Sequence, residues 1–181
     1  MKLKSAPELS VSGWLNTTEP TSLADLRGRI VLLEAFQMLC PGCVSHALPQ
    51  ARRIAEHFTA HGVSVIGLHS VFEHHDAQGS REALAAFLHE YRIGFPVAMD
   101  APARGDSIPQ TMAAYAMQGT PTSVLIDRTG RIRRQSFGPV PDLVLGAAIG
   151  ALLNEPETRA ADAPACTPDG CTAEQKGDRC I

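Results

Sequence analysis

Two cysteines separated by two residues, Cys40-Pro41-Gly42-Cys43, are the first residues in the chain whose types and spacing point to chemistry. They lie between a short apolar run, Arg29 to Phe36, and a stretch of helical periodicity. That setting predicts Cys40 at a helix N-cap and Pro41 at the first helical position, where a missing N–H costs nothing. A helix N-terminus stabilises a thiolate and lowers its pKa. Cys43 then falls one turn in, within disulfide reach of Cys40, and the pair reads as redox-active. A zinc site needs four ligands, and no second CxxC or HxxxH follows at the usual spacing. Val44 rather than His follows the second cysteine, which excludes c-type haem attachment. No cofactor and no metal are expected.

Two further features fit this chemistry. Glu34 stands inside the apolar run, six residues before Cys40, between Leu33 and Ala35. Burial there raises its pKa toward neutrality, which suits a proton acceptor for the inner thiol. Its bland alternative is a carboxylate on a half-exposed strand face. Gly119-Thr120-Pro121-Thr122 places a Pro after a Gly and just before a strand, a good position for a cis peptide bond.

The elements that must position these residues follow from periodicity. Arg29 to Phe36 reads as a buried strand. Val44, Leu48, Ala51, Ala55 and Phe58 form a helical stripe, with Arg52, Arg53, Glu56 and His57 on the other face. Val63 to Leu68 and Phe95 to Met99 read as strands, and Leu84, Phe87, Leu88 and Tyr91 as a helix. Thr122 to Asp127 and Arg131 to Phe137 flank an Asp127-Arg128-Thr129-Gly130 hairpin turn. A last helix carries Leu145, Ala148, Ile149 and Leu152 and is opened by Pro141 and Asp142. Alternating strands and helices closing in a hairpin predict an α/β fold with a central mixed sheet. Trp14, Phe87, Tyr91 and Tyr115 are expected in or against the core, and Arg133-Arg134 at a solvated strand end.

Composition is that of an ordinary globular chain: 181 residues, 44% hydrophobic and 19% charged. The net charge of −3 offers no electrostatic case for nucleic acid. No apolar stretch approaches the roughly 18–20 residues a membrane helix needs. Met1 to Ser10 carries Lys2 and Lys4 with no apolar stretch behind them, so no secretory signal is read and a cytoplasmic location is expected. A processed exported form is the other reading. A boundary falls near Asn154, giving a domain over 1–153 and a tail over 154–181. The tail holds six acids, three bases and three cysteines, Cys166, Cys171 and Cys180. Too little apolar surface is present there to offset ordering entropy. A Cys166–Cys171 disulfide across Thr-Pro-Asp-Gly is geometrically reasonable. A relay from the tail to Cys40 and Cys43, a thiolate metal clip and incidental cysteines are the three readings. Extended chain from Asn154 to Cys166 spans up to about 40 Å, so reach does not forbid the relay.

Together, Cys40-Pro41-Gly42-Cys43, Glu34, Gly119-Thr120-Pro121-Thr122 and the closing hairpin resemble the thioredoxin superfamily. Within it the chain is most similar to the TlpA/ResA-like and redoxin (AhpC/TSA-type) group. "LADLRGRIVLLEAF", Arg92-Ile93-Gly94-Phe95-Pro96 with Asp100, and "GTPTSVLIDRTGRI" carry that likeness over roughly residues 6–153. The resemblance implies a thioredoxin-like fold with an inserted α/β segment around residues 72–118. It implies thiol–disulfide exchange with Cys40 attacking, Cys43 resolving and Glu34 assisting. It also implies that Pro41, Gly42, Thr120 and Pro121 face the substrate. The expected partners are a disulfide-bearing protein or small thiol and a second redox partner, with the chain a monomer. Leu39, preceded by Gln37-Met38, stands where the family usually has Trp, which changes the surface a partner meets.

Two rival readings differ in chemistry. A thiol peroxidase needs Pro-x-x-x-Thr/Ser-x-x-Cys, but Gln37 stands three before Cys40 and Cys40 three before Cys43. A metal-delivery module would use Cys40, Cys43 and His46 at one helical end, or Glu73-His74-His75-Asp76 in the insert. The blander alternative makes His46 a surface residue and residues 73–76 a solvated loop.

Overall fold

The apolar run before the motif is the centre of the molecule. In the computed structural model, which describes residues 3–102 and 108–156, strand β2 (Ile30–Phe36) has no exposed residue. It is buried on both faces, which is why it reads as a continuous apolar run rather than an alternating one. The other strands are β1 (Val11–Leu15), β3 (Val63–His69), β4 (Val97–Asp100), β5 (Thr122–Ile126) and β6 (Ile132–Phe137). They form one sheet in the order β1-β4-β3-β2-β5-β6. β2, β3 and β4 run parallel, while β1, β5 and β6 are antiparallel to their neighbours. The sheet is therefore mixed, as the sequence predicts.

Helices cover both faces. One face of β2 offers Ile30, Leu32 and Phe36 to α1 (Leu48–Phe58), α3 (Arg81–Glu90) and α5 (Asp142–Leu153). The other offers Val31, Leu33 and Ala35 to Met112 and Tyr115, at and just beyond α4 (Gln110–Ala114). The segment between β3 and β5 holds the short α2 (His75–Gln78), α3, β4 and α4. This matches the expected insert around 72–118.

The structure adjusts several expectations. A π-helical turn, Cys43–Ala47, precedes α1 and shifts the phase of the helix. Its buried stripe runs Cys43, Ala47, Leu48, Ala51 and Ile54, so Val44, Ala55 and Phe58 flank it instead of defining it. Tyr91 is not core: it caps α3, is 48% exposed, and leans on Phe87 with ring centroids 4.4 Å apart. Arg133 is not merely solvated, because it bridges Asp127 (3.6 Å) and Glu155 (2.6 Å).

The hairpin turn is held by Asp127, whose Oδ1 accepts N–H bonds from Thr129 and Arg131. Arg128 donates to the carbonyls of Leu152 and Leu153, satisfying the last turn of α5. α5 thus ends beside the Asp127 turn, at the end of the sheet opposite the CxxC motif. The tail cysteines Cys166, Cys171 and Cys180 lie outside the described residues.

One backbone position invites a stability test. Gly62 joins the 3-10 turn Thr59–His61 to β3 with φ of 92°, and a Cβ there would meet nothing within 4 Å. Gly62→Ala should therefore cost only the left-handed backbone penalty, about 1 kcal/mol. Thermal denaturation should show a drop of roughly 2–4 °C; an unchanged midpoint would contradict the assignment.

Candidate active site

β2 ends at Phe36 and the chain turns through Gln37, Met38 and Leu39 to reach Cys40. The Cys40 carbonyl accepts the N–H of Val44 (3.1 Å), the first bond of the helix. Its Sγ accepts the N–H of Cys43 at 3.2 Å. Cys40 therefore does what an N-cap side chain does, with sulfur in place of oxygen. Cys43 faces Cys40 in a disulfide with Cα atoms 5.2 Å apart. The two sulfurs differ in access. Cys40 is partly exposed, whereas Cys43 is fully buried in the cluster that includes Ile30, Leu32 and Phe36 of β2.

Glu34 lies on that same face of β2, by strand alternation with Leu32 and Phe36. It is 1% exposed, which removes the half-exposed reading. Burial pushes its carboxyl up to about 7, opposed by a hydrogen bond from Ser123. Ser123 is its register partner on β5 and donates from Oγ to Oε2 at 2.6 Å. Oε1 has no hydrogen-bond partner. A neutral-range carboxyl on the face where the inner thiol is buried can accept that thiol's proton.

The Thr120–Pro121 peptide bond is cis. Cys40 Sγ lies 3.5 Å from the Thr120 carbonyl oxygen, and a Cβ at Gly42 would sit 3.5 Å from Pro121 Cδ. The loop is braced by Thr122, whose hydroxyl donates to the Gly119 carbonyl at 2.7 Å, and by the Gly138 N–H, which donates to Pro121 O. Pro41, Gly42, Thr120 and Pro121 thus gather around the sulfurs.

His46, offered by the metal reading, is exposed and shares a 2.7 Å hydrogen bond with Ser45. Among the described residues no three His, Cys, Asp or Glu side chains are gathered as a metal would need. Among them, too, no helix is long and apolar enough to cross a membrane.

Three buried residues beside the site were not singled out by sequence reasoning. Gln37 and Gln78 meet through a 3.0 Å hydrogen bond although 41 positions separate them. His69 ends β3, is 2% exposed, packs on Phe36 with centroids 5.3 Å apart, and has neither ring nitrogen hydrogen-bonded. Burial lowers its pKa to about 4, so it is neutral at pH 7. A Gln directly after a strand and a His at the end of one carry no periodic signal. Only a pairing across the fold reveals them.

The chain is similar to proteins of known family and structure. Residues 3–135 match the AhpC/TSA family. A thioredoxin-like superfamily protein of known structure is 51% identical, with a TM-score of 0.81, over 84% of this chain and 98% of that one. A thiol-disulfide isomerase from Corynebacterium glutamicum is 52% identical, with a TM-score of 0.79, over 83% of this chain and 98% of that one. The fold is thioredoxin-like. The thiol-disulfide oxidoreductase ResA of Bacillus thuringiensis (strain Al Hakam) is 30% identical over 116 residues, 64% of this chain. The chain spans 59% of the length of that protein. It spans 21% of Protein DipZ of Mycobacterium bovis, which it matches at 30% identity over 154 residues, 83% of this chain.

Proposed function

The chain belongs to the AhpC/TSA family, and we propose that it is a thiol–disulfide oxidoreductase that uses Cys40-Pro41-Gly42-Cys43 to exchange disulfides with protein or small thiol partners. The observation that carries this reading is the asymmetry of the two sulfurs. Cys40 is accessible and its Sγ receives the Cys43 N–H, whereas Cys43 is sealed on the face that Glu34 shares. A helix-terminal N–H bond of that kind stabilises a thiolate more than a thiol.

The reaction follows in two displacements. The Cys40 thiolate attacks one sulfur of a substrate disulfide, forming a Cys40–substrate bond and releasing the other sulfur as a thiolate. Cys43 is deprotonated with help from Glu34, which takes up the proton within the buried face they share. The Cys43 thiolate then attacks Cys40 Sγ, closes the protein disulfide and releases the second substrate thiolate. Two electrons have moved from the dithiol to the substrate. Run backward, the same steps oxidise a substrate dithiol. Thr120 and Pro121, against Cys40 and Gly42, are placed to receive the substrate backbone as an added strand.

Reduced protein mixed with oxidised glutathione should consume one disulfide per Cys40–Cys43 pair, counted by thiol titration and mapped by peptide mass spectrometry. Mapping matters because Cys166, Cys171 and Cys180 are also thiols. Absence of exchange at Cys40 and Cys43 would refute the proposal. Faster consumption of hydrogen peroxide than of disulfide would instead support the peroxidase reading.

A further inference from the structure

We propose that Gln78, on the short helix α2 of the inserted segment, is a positioning residue for Cys40: its side-chain amide holds the backbone that delivers Cys40 to the helix start. This rests on the reading of Cys40 as the attacking sulfur.

The argument begins with two amide side chains that ordinary patterning would put at the surface. Gln37 is 1% exposed and Gln78 is fully buried. A buried amide must place two N–H donors and one carbonyl acceptor without help from bulk water. Gln78 fills both donors and its acceptor, and Gln37 fills its acceptor and one donor. Gln78 Oε1 accepts the backbone N–H of Leu39 at 3.2 Å, and Gln37 Oε1 accepts that of Phe72 at 3.3 Å. Backbone N–H groups can only donate, so these two bonds fix which way round each amide lies. Gln78 Nε2 is then left to donate to Gln37 Oε1 (3.0 Å) and to the Glu73 carbonyl (2.9 Å). Gln37 Nε2 donates to the Glu73 carboxylate at 3.3 Å.

The network has one end in the insert and the other beside the nucleophile. Leu39 is 56% exposed, so its side chain cannot anchor this turn in the core. Its N–H, held by Gln78, is its own attachment, beside the core-buried side chain of Met38 one residue earlier. The next residue, Cys40, donates its own N–H to the Gln37 carbonyl at 3.3 Å. The position of Cys40 Sγ under the Cys43 N–H is thus set from both sides, by the helix that follows and by two glutamines that precede or approach it.

Loss of the Gln78 amide leaves the Leu39 N–H without an acceptor, and the turn must swing toward water to satisfy it. In the disulfide form the covalent bond to Cys43 still holds the Cys40 sulfur. In the dithiol form nothing covalent does, and the thiolate loses its N–H donor. The substitution therefore acts mainly on the reduced state.

The test is Gln78→Met, of similar shape, with no donor and only a weakly accepting sulfur. Thiolate absorbance should show about tenfold less Cys40 thiolate at a given pH below the midpoint. The Cys40–Cys43 equilibrium should shift about tenfold toward disulfide, a reduction potential lower by about 30 mV. A merely structural role would destabilise both redox forms and leave the thiolate titration in place, and that result would overturn the proposal. If the variant fails to fold, hydrogen exchange in the reduced wild-type protein decides: the Leu39 amide should exchange at least about tenfold more slowly than an exposed amide, and an unprotected one would overturn it. Wild-type protein whose Cys40 exchanges no disulfide would refute the functional reading instead, whatever Gln78 does.

Discussion

Cys40→Ser should abolish disulfide exchange at this site, by on the order of a thousandfold or more, because the reacting thiolate is gone and the remaining sulfur is sealed. Cys43 has no exposed surface, and its neighbours are the packed apolar side chains of β2 and α1. A substrate sulfur would have to open the first helical turn to reach it. Cys43→Ser should behave differently. Cys40 still presents its sulfur beside Thr120 and Pro121, so the first displacement proceeds, but no second thiolate follows to release the substrate. The variant should accumulate a mixed disulfide with oxidised glutathione, one per chain at Cys40, seen as an added glutathionyl mass on the peptide that carries Cys40. Accumulation on Cys43 in the Cys40→Ser protein, or equal rates in both variants, would reverse the assigned roles.

This division of labour was legible in the sequence because its parts are local. Strand, N-cap, Pro41 and the one-turn offset to Cys43 all lie within fourteen residues, from Ile30 to Cys43. Glu34 could be read as buried because its neighbours in the run are apolar, and the bond before Pro121 as cis because a nearby Gly and a strand flank it. What sequence reasoning missed was settled by distant contacts. Gln37 and Gln78 look like surface residues until β3 and the insert bring them together. β1 was obscured by Ser12 and Gly13, which break its alternation, and it is defined by antiparallel pairing with β4 some 85 residues later, as between Trp14 and Ala98. The helix stripe begins at Cys43 and Ala47 rather than at Val44 because a π turn adds a residue to the first turn, which no side-chain pattern announces, while Leu48 and Ala51 are buried as the periodicity predicts. His69 was invisible because the apolar run of β3 stops at Leu68 while the strand continues one residue further, into the core.

That histidine and Glu34 should together give the oxidised protein a stability profile that neither gives alone. Glu34 titrates near 7 in the fold against 4.5 when free, because burial disfavours its charge. Its folded-state pKa is raised, so the native protein binds the extra proton. The stability it contributes is complete below about pH 4.5 and is lost as pH rises through about 7. His69 titrates near 4 in the fold against 6.5 when free, again because burial disfavours its charge. Its stability is complete above about pH 6.5 and is lost as pH falls through about 4. Each shift corresponds to about 3 kcal/mol at roughly 1.4 kcal/mol per pH unit. Between about pH 4.5 and 6.5 the two slopes oppose each other, and in wild-type protein they cancel. Removing one should expose the other. Glu34→Gln should gain about 3 kcal/mol in stability between pH 4 and 6.5, whereas His69→Phe, which keeps a ring against Phe36, should lose about 3 kcal/mol between pH 4.5 and 7. Asp100 and Asp127 also titrate with shifted pKa values, but they are common to all three proteins and drop out of the comparison. Urea denaturation of the oxidised proteins across this range would measure the divergence. Parallel curves would mean that burial does not govern the charge of either group, and the fitness of Glu34 as a proton acceptor near neutrality would fall with it.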